Sequence, residues 1–173
     1  MTHKENWLEK SFSFDFPTSK YVEYLEFLRQ TPSRLYALVE SLPNDVLIQR
    51  EGDSWSIQEN VGHILTVESL FTGRLEDYHN DLETLRPARF DDNPTDKADF
   101  NTKDIGWILQ EFQAQRQAYM DQLGALEAEE FGKVSLHPRL LKPMRICDTL
   151  LFHVEHDRHH LRRIEELKDK FHL

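Results

Sequence analysis

Residues 150–167 read LLFHVEHDRHHLRRIEEL, and the spacing within this stretch decides the fold. Phe152, His156, His160, Ile164, Leu167 and, just beyond, Phe171 recur at the three-to-four-residue step that lines one face of an α-helix. The intervening positions are rich in Glu, Asp and Arg, which belong in water. A segment so divided turns its apolar stripe inward, which predicts a helix from about Arg145 to Lys170 with two imidazoles on its buried face. At about 100° per residue, His156 and His160 are ~40° apart and one turn from each other, a spacing that lets two imidazoles converge on one ion. Two inward imidazoles also need polar partners.

Working back along the chain, three more long helices and one short one follow from the same periodicity. Ser56 and Glu59 have the spacing of a capping box, so a helix starts near Ser56 and carries Ile57, Val61, Ile64, Glu68, Phe71 and Leu75 along one side as far as about Tyr78. Thr102, Ile105, Ile108, Leu109, Phe112, Tyr119 and Leu123 predict another, ending around Gly124. Between Ser19 and Leu42, apolar spacing is interrupted at Thr31-Pro32, where Thr can cap and Pro can open a new helix, which predicts a short helix followed by the first bundle helix. Phe12, Phe14 and Phe16 alternate ahead of Pro17, so residues 1–18 read as an extended arm laid on the domain. Residues 79–100, with Pro87, Pro94 and many Asp, form a long polar connection with room for a short helix or a lid, and residues 125–143 are irregular, with no convincing strand run. The expected architecture is all-α: one domain over residues 1–173, with four long helices in a bundle whose sites are built from side chains on facing helices.

Composition agrees. The chain has 173 residues, of which 39% are hydrophobic and 11% aromatic, enough for one core and against general disorder. No apolar run reaches the roughly 18 residues of a membrane span, and MTHKENWLEK lacks the apolar stretch of a secretion signal, so a cytoplasmic protein without membrane contact is expected. A formal net charge of −10, with no basic stripe, excludes nucleic acid as the expected partner. Cys147 is the single cysteine, so any metal must be held by imidazole and carboxylate rather than thiolates. The apolar arm and the many aromatics also suggest a homodimer, although both can serve the core of one chain.

Five of the nine histidines fall in the final 21 residues, four of them as His153, His156, His159 and His160. The i, i+4 pair His156/His160 is compatible with a metal chelate, a surface pair or a core pair bonded to carboxylates. His159 points about a third of a turn away, toward the rim, and His153 is a pocket or packing residue outside the ligand set. His63 is the one histidine within the first three predicted helices, and its place one to two turns past the capping box could bring it level with the pair; alone it also reads as a satisfied core histidine. Glu59, Glu68, Glu155 and Asp157 are candidates for orienting imidazoles or acting as a base, and equally for caps or solvated charges.

The segment WSIQENVGHILTVESL, residues 55–70, resembles the motif with which the DinB-like superfamily opens its second helix, with a ligand histidine at the position of His63. LLFHVEHDRHHLRRI, residues 150–164, resembles that superfamily's late motif, a histidine pair four apart, here His156 and His160. Order and separation match together, from about Leu35 to Leu167. The resemblance implies an up-and-down four-helix bundle and one divalent ion, zinc or nickel, on His63, His156 and His160. It implies a small-molecule substrate, with a metal-dependent hydrolase as the first reading. A transferase or isomerase using a low-molecular-weight thiol is an alternative, as is a non-catalytic metal-binding or stress-related module. One departure is Leu161-Arg162-Arg163, where members often carry Arg-Gly-Gln or a similar polar run, so substrate contacts of that run are not carried over. Three neutral imidazoles leave a divalent ion charged and open, able to activate a water or hold a thiolate near neutral pH.

Overall fold

The computed structural model describes residues 7–89 and 93–171; the first six residues of the expected arm, three residues of the 79–100 connection, His172 and Leu173 lie outside them. Among the described residues the α-helices are α1 (Tyr21–Val39), α2 (Asn44–Leu47), α3 (Ile57–His79), α4 (Pro94–Ala98), α5 (Ile105–Gly124) and α6 (Ile146–Lys170). The four long ones form the expected bundle. α1 packs on α5 and α6, and α3 packs on the same two, so α1 lies diagonally across the bundle from α3, and α5 from α6. The core is filled from all four, by Leu28, Leu35, Ile57, Ile64, Phe71, Ile108, Phe112, Tyr119, Leu150, Ile164 and Leu167, each almost fully buried. No described helix is long and apolar enough to cross a membrane.

The helix starts follow local chemistry. Ser56 caps α3: its hydroxyl accepts the Glu59 N–H at 3.1 Å, and the Glu59 carboxylate accepts the Ser56 N–H at 2.8 Å, the reciprocal box read from the sequence. Asp104 caps α5 by accepting the Trp107 N–H at 2.8 Å, two residues later than the expected Thr102. Arg145 precedes α6, its N–H donating to Asp148 at 2.8 Å.

Two expectations are corrected. The chain does not break at Thr31-Pro32, because α1 runs through it. Pro32 lacks the N–H that would satisfy the Leu28 carbonyl, and that carbonyl instead accepts Nη1 of Arg116 on α5 at 2.9 Å. The segment 125–143 is not wholly irregular either. It holds a 3-10 helix at Ala128–Gly132 and most of an antiparallel hairpin, β1 (Val134–His137) with β2 (Lys142–Arg145), whose last two residues lie just beyond it. Two four-residue strands are too short to show a period.

The amino-terminal arm is extended over the described residues apart from 3-10 turns at Trp7–Glu9 and Thr18–Lys20. Phe12 is buried in the core beside Phe152, and Arg145 Nη2 donates to the carbonyls of Phe14 and Phe16 at 3.0 and 3.1 Å. The connection after α3 is fastened at both ends. The Leu85 N–H donates to the carbonyl of Leu136 on the hairpin edge, whose own N–H donates to the Glu83 carbonyl, and further on Gln58 Nε2 donates to the carbonyls of Phe100 and Lys103. Gly62 is required there: a Cβ would lie 2.2 Å from the Phe100 ring, so only glycine lets this segment lie against α3 next to His63.

Candidate metal centre

Three imidazoles meet inside the bundle. His63 comes from the second turn of α3, and His156 and His160 from successive turns of α6. One ring nitrogen of each lies within 4.8 Å of the others. Nε2 of His63 and Nε2 of His156 are 3.1 Å apart, close to the ~3.3 Å between two nitrogens that share a tetrahedral ion at 2.0–2.1 Å. Two bare lone pairs would repel at that distance, so a proton or a cation belongs between them.

Hydrogen bonds behind the rings set which nitrogen is free. Asn60, one turn before His63, donates through Nδ2 to the carbonyls of Ser56 at 2.8 Å and Trp55 at 3.3 Å, which turns its Oδ1 toward His160 Nδ1 at 2.9 Å. An amide oxygen only accepts, so His160 Nδ1 carries the proton and Nε2 is left bare. His63 Nδ1 meets the buried Thr95 hydroxyl at 2.8 Å, which α4 brings over α3. His156 Nδ1 is buried without a partner among the described residues. Burial holds His156 and His160 well below the ordinary imidazole pKa, assisted by the neighbouring imidazoles, and lowers His63 to about 4, with His159 adding to the effect. Neutral imidazoles with directed lone pairs are what a divalent cation requires.

Aromatic rings wall the centre. The Trp55 indole lies 4.7 Å from the His63 ring and donates Nε1–H to Asp96 at 2.8 Å. Trp7 of the arm meets His156 edge-on at 5.2 Å and Phe152 at 5.0 Å. His159 is half-buried beside Trp7 and His160.

The candidate carboxylates are bonded to cations. Glu59, besides its capping role, is paired with Arg50, whose Nε donates at 2.8 Å; burial would raise its pKa, and these bonds outweigh it. Glu155 pairs with Lys10 at 2.7 Å and Arg158 at 2.6 Å. Glu68 is fully buried, with both oxygens 3.1 Å from Arg116 Nε. Burial works against its charge, but the Arg116 guanidinium holds its pKa down to about 2. Arg116 also donates to Asp157 at 2.9 Å, and His153 Nε2 lies 3.1 Å from Glu68 while its ring stacks on Phe71 at 3.6 Å. Glu68, Arg116, His153 and Asp157 thus form a buried ionic layer beneath the three histidines. Sequence reading missed Asn60 and Thr95 as neighbours of the centre. Asn60 had a signal, lying one helical turn before His63, whereas Thr95 comes from a connection without periodicity.

The sequence model of the DinB superfamily matches residues 28–164. Among solved structures the fold is similar to that of YfiT from Bacillus subtilis, a probable metal-dependent hydrolase with an unusual four-helix bundle topology. The TM-score is 0.82 at 19% identity, over 94% of each chain. No curated protein matches the sequence.

Proposed function

The chain belongs to the DinB superfamily, and from that premise and its three converging imidazoles we propose that it is a divalent-metal-dependent hydrolase of a small molecule. His63, His156 and His160 would hold the ion through imidazole nitrogen, a donor set that suits zinc or nickel. The observation that carries the reading is the bond pattern behind the rings: the Asn60 oxygen fixes the proton of His160 on Nδ1 and leaves its Nε2 bare, while the Thr95 hydroxyl engages Nδ1 of His63, whose Nε2 faces Nε2 of His156 at 3.1 Å. When bound, a divalent ion supplies Lewis acidity, lowering the pKa of water and polarising the group attacked.

The protein's own residues do the rest. Among the described residues no carboxylate joins the three imidazoles, so an ion held by them would have room to take up substrate. Trp55 packs on His63 and Trp7 on His156, and apolar cover of this kind shields the centre from bulk water and strengthens charge interactions within it. The kinship of the fold to a probable metal-dependent hydrolase agrees with this reading.

The test uses metal-stripped protein reloaded with zinc or nickel and assayed against ester and amide panels, with and without a low-molecular-weight thiol. Activity is expected to vanish with chelator, return with metal and need no thiol. A strict thiol requirement would replace hydrolysis by transfer at the same centre. His156→Ala is expected to lose most metal affinity; an unchanged metal content would overturn the ligand assignment.

A further inference from the structure

We propose that Arg74, His137 and Arg139 form a second binding site, which takes the carboxylate of a small molecule beside the three-histidine centre. That this carboxylate belongs to the substrate rests on the hydrolase reading; the anion site itself does not.

Arg74, on α3, is 2% exposed, as buried as Arg116. Arg116 holds two carboxylates, but the hydrogen bond of Arg74 among the described residues is Nε to the Arg86 carbonyl at 3.2 Å. The nearest acid along the helix, Asp77, commits its oxygens to the backbone N–H, Nε and Nη2 of Arg86. A buried guanidinium that no carboxylate oxygen bonds is costly, and burial lowers its pKa to about 10, with the charges of Tyr78 and Asp77 acting in the opposite direction.

His137 closes β1 and is also 2% exposed. Its Nδ1 accepts the backbone N–H groups of Arg139 at 3.2 Å and Leu140 at 3.1 Å, so the ring proton is on Nε2. That Nε2–H is buried with no partner among the described residues. An unsatisfied buried donor is costly, and a bound acceptor would recover that cost. Arg74 comes to the same place through its bond to the Arg86 carbonyl, because the N–H of the adjacent Leu85 donates to the carbonyl of Leu136, next to His137; burial, then the charges of Arg74 and Arg139, lower the imidazole to about 4.

Phe152 joins this cluster to the metal centre. The His137 ring lies 5.4 Å from it and the Arg139 guanidinium 5.9 Å over it, while Trp7 bridges Phe152 and His156. Phe152 precedes His156 by one turn of α6, a rise of about 6 Å, so one small molecule can reach both. One buried guanidinium fork, one imidazole N–H and a flanking guanidinium suit a planar two-oxygen acceptor.

Metal-free protein is titrated with succinate, followed by calorimetry and by the nitrogen resonance of His137 Nε2. Succinate is expected to saturate and to shift that resonance, while the neutral succinamide does neither. Arg74→Gln should weaken succinate about tenfold or more and leave zinc affinity unchanged. Absence of saturable binding, undiminished binding by a folded Arg74→Gln, or equal affinity for inorganic phosphate would overturn the proposal. Should Arg74→Gln fail to fold, Arg139→Gln decides, with weakened succinate binding expected and unchanged binding overturning. Succinate binding in a protein that takes no zinc supports the anion site while removing the hydrolase reading.

Discussion

Asn60 shows how one side chain commits another. Its amide nitrogen is bound to the α3 cap carbonyls, so its oxygen alone is left for His160, and the imidazole has no choice of tautomer. Asn60→Leu keeps the volume and removes that acceptor; zinc affinity is expected to fall about 10- to 100-fold, measured by competition with a chelating dye. The three histidines were legible in the sequence because helical spacing puts two on one face and a matching motif supplies the third. Asn60 was hidden behind its neighbour, since Glu59 explains the segment as a capping box. His137 gave no signal, because a buried imidazole in a four-residue strand looks like any loop histidine. It carries a pH prediction. Folded at about 4 and unfolded near 6.5, it binds its proton more readily in the unfolded chain, so stability is full above pH 6.5 and is lost as pH falls toward 4. The loss from this group is about 3 kcal/mol, and urea midpoints of metal-free protein at pH 7 and 4.5 should fall less steeply in His137→Gln.

At the scale of elements, α1 shows why local signals can mislead. Thr31-Pro32 reads as a helix boundary, and proline inside a helix does cost a hydrogen bond. Here the freed Leu28 carbonyl is taken by Arg116, so α1 stays continuous and is tied to α5. No reading of residues 19–42 alone could supply an acceptor's partner 88 residues away. The same guanidinium neutralises Glu68 from α3 and Asp157 from α6, so one side chain serves all four bundle helices. Arg116→Met would leave two buried carboxylates without their cation. Its expected cost is about 3–5 kcal/mol, read from urea unfolding. Pro32→Ala, which restores the N–H while the carbonyl already has a partner, is expected to stabilise by less than the ~3 kcal/mol of an ordinary interior proline. The hairpin was missed for a different reason, since two four-residue strands are defined by pairing with each other and with residues 83–85, not by their own pattern.

For the whole molecule, the histidines join elements that are far apart in the chain. His63 belongs to α3 and His156 and His160 to α6, and α4 reaches the same point through Thr95. An ion bound by all three imidazoles exists only in the folded chain, so its binding energy adds to folding stability as RT ln(1 + [L]/Kd). At a free zinc concentration a hundredfold above Kd this is about 2.7 kcal/mol. For a domain of this length each kcal/mol moves Tm by about 2–4 °C, so a rise of roughly 5–10 °C is expected between chelated and zinc-loaded protein. Because the linkage runs through the ligand set, His156→Ala should abolish the rise. Asn60→Leu should need a higher zinc concentration for the same rise, having lost the acceptor that fixes His160 but not the ligand itself. A Tm that responds equally to zinc in wild type and in His156→Ala would mean that the ion binds elsewhere on this acidic chain, and the three-histidine centre would lose its metal.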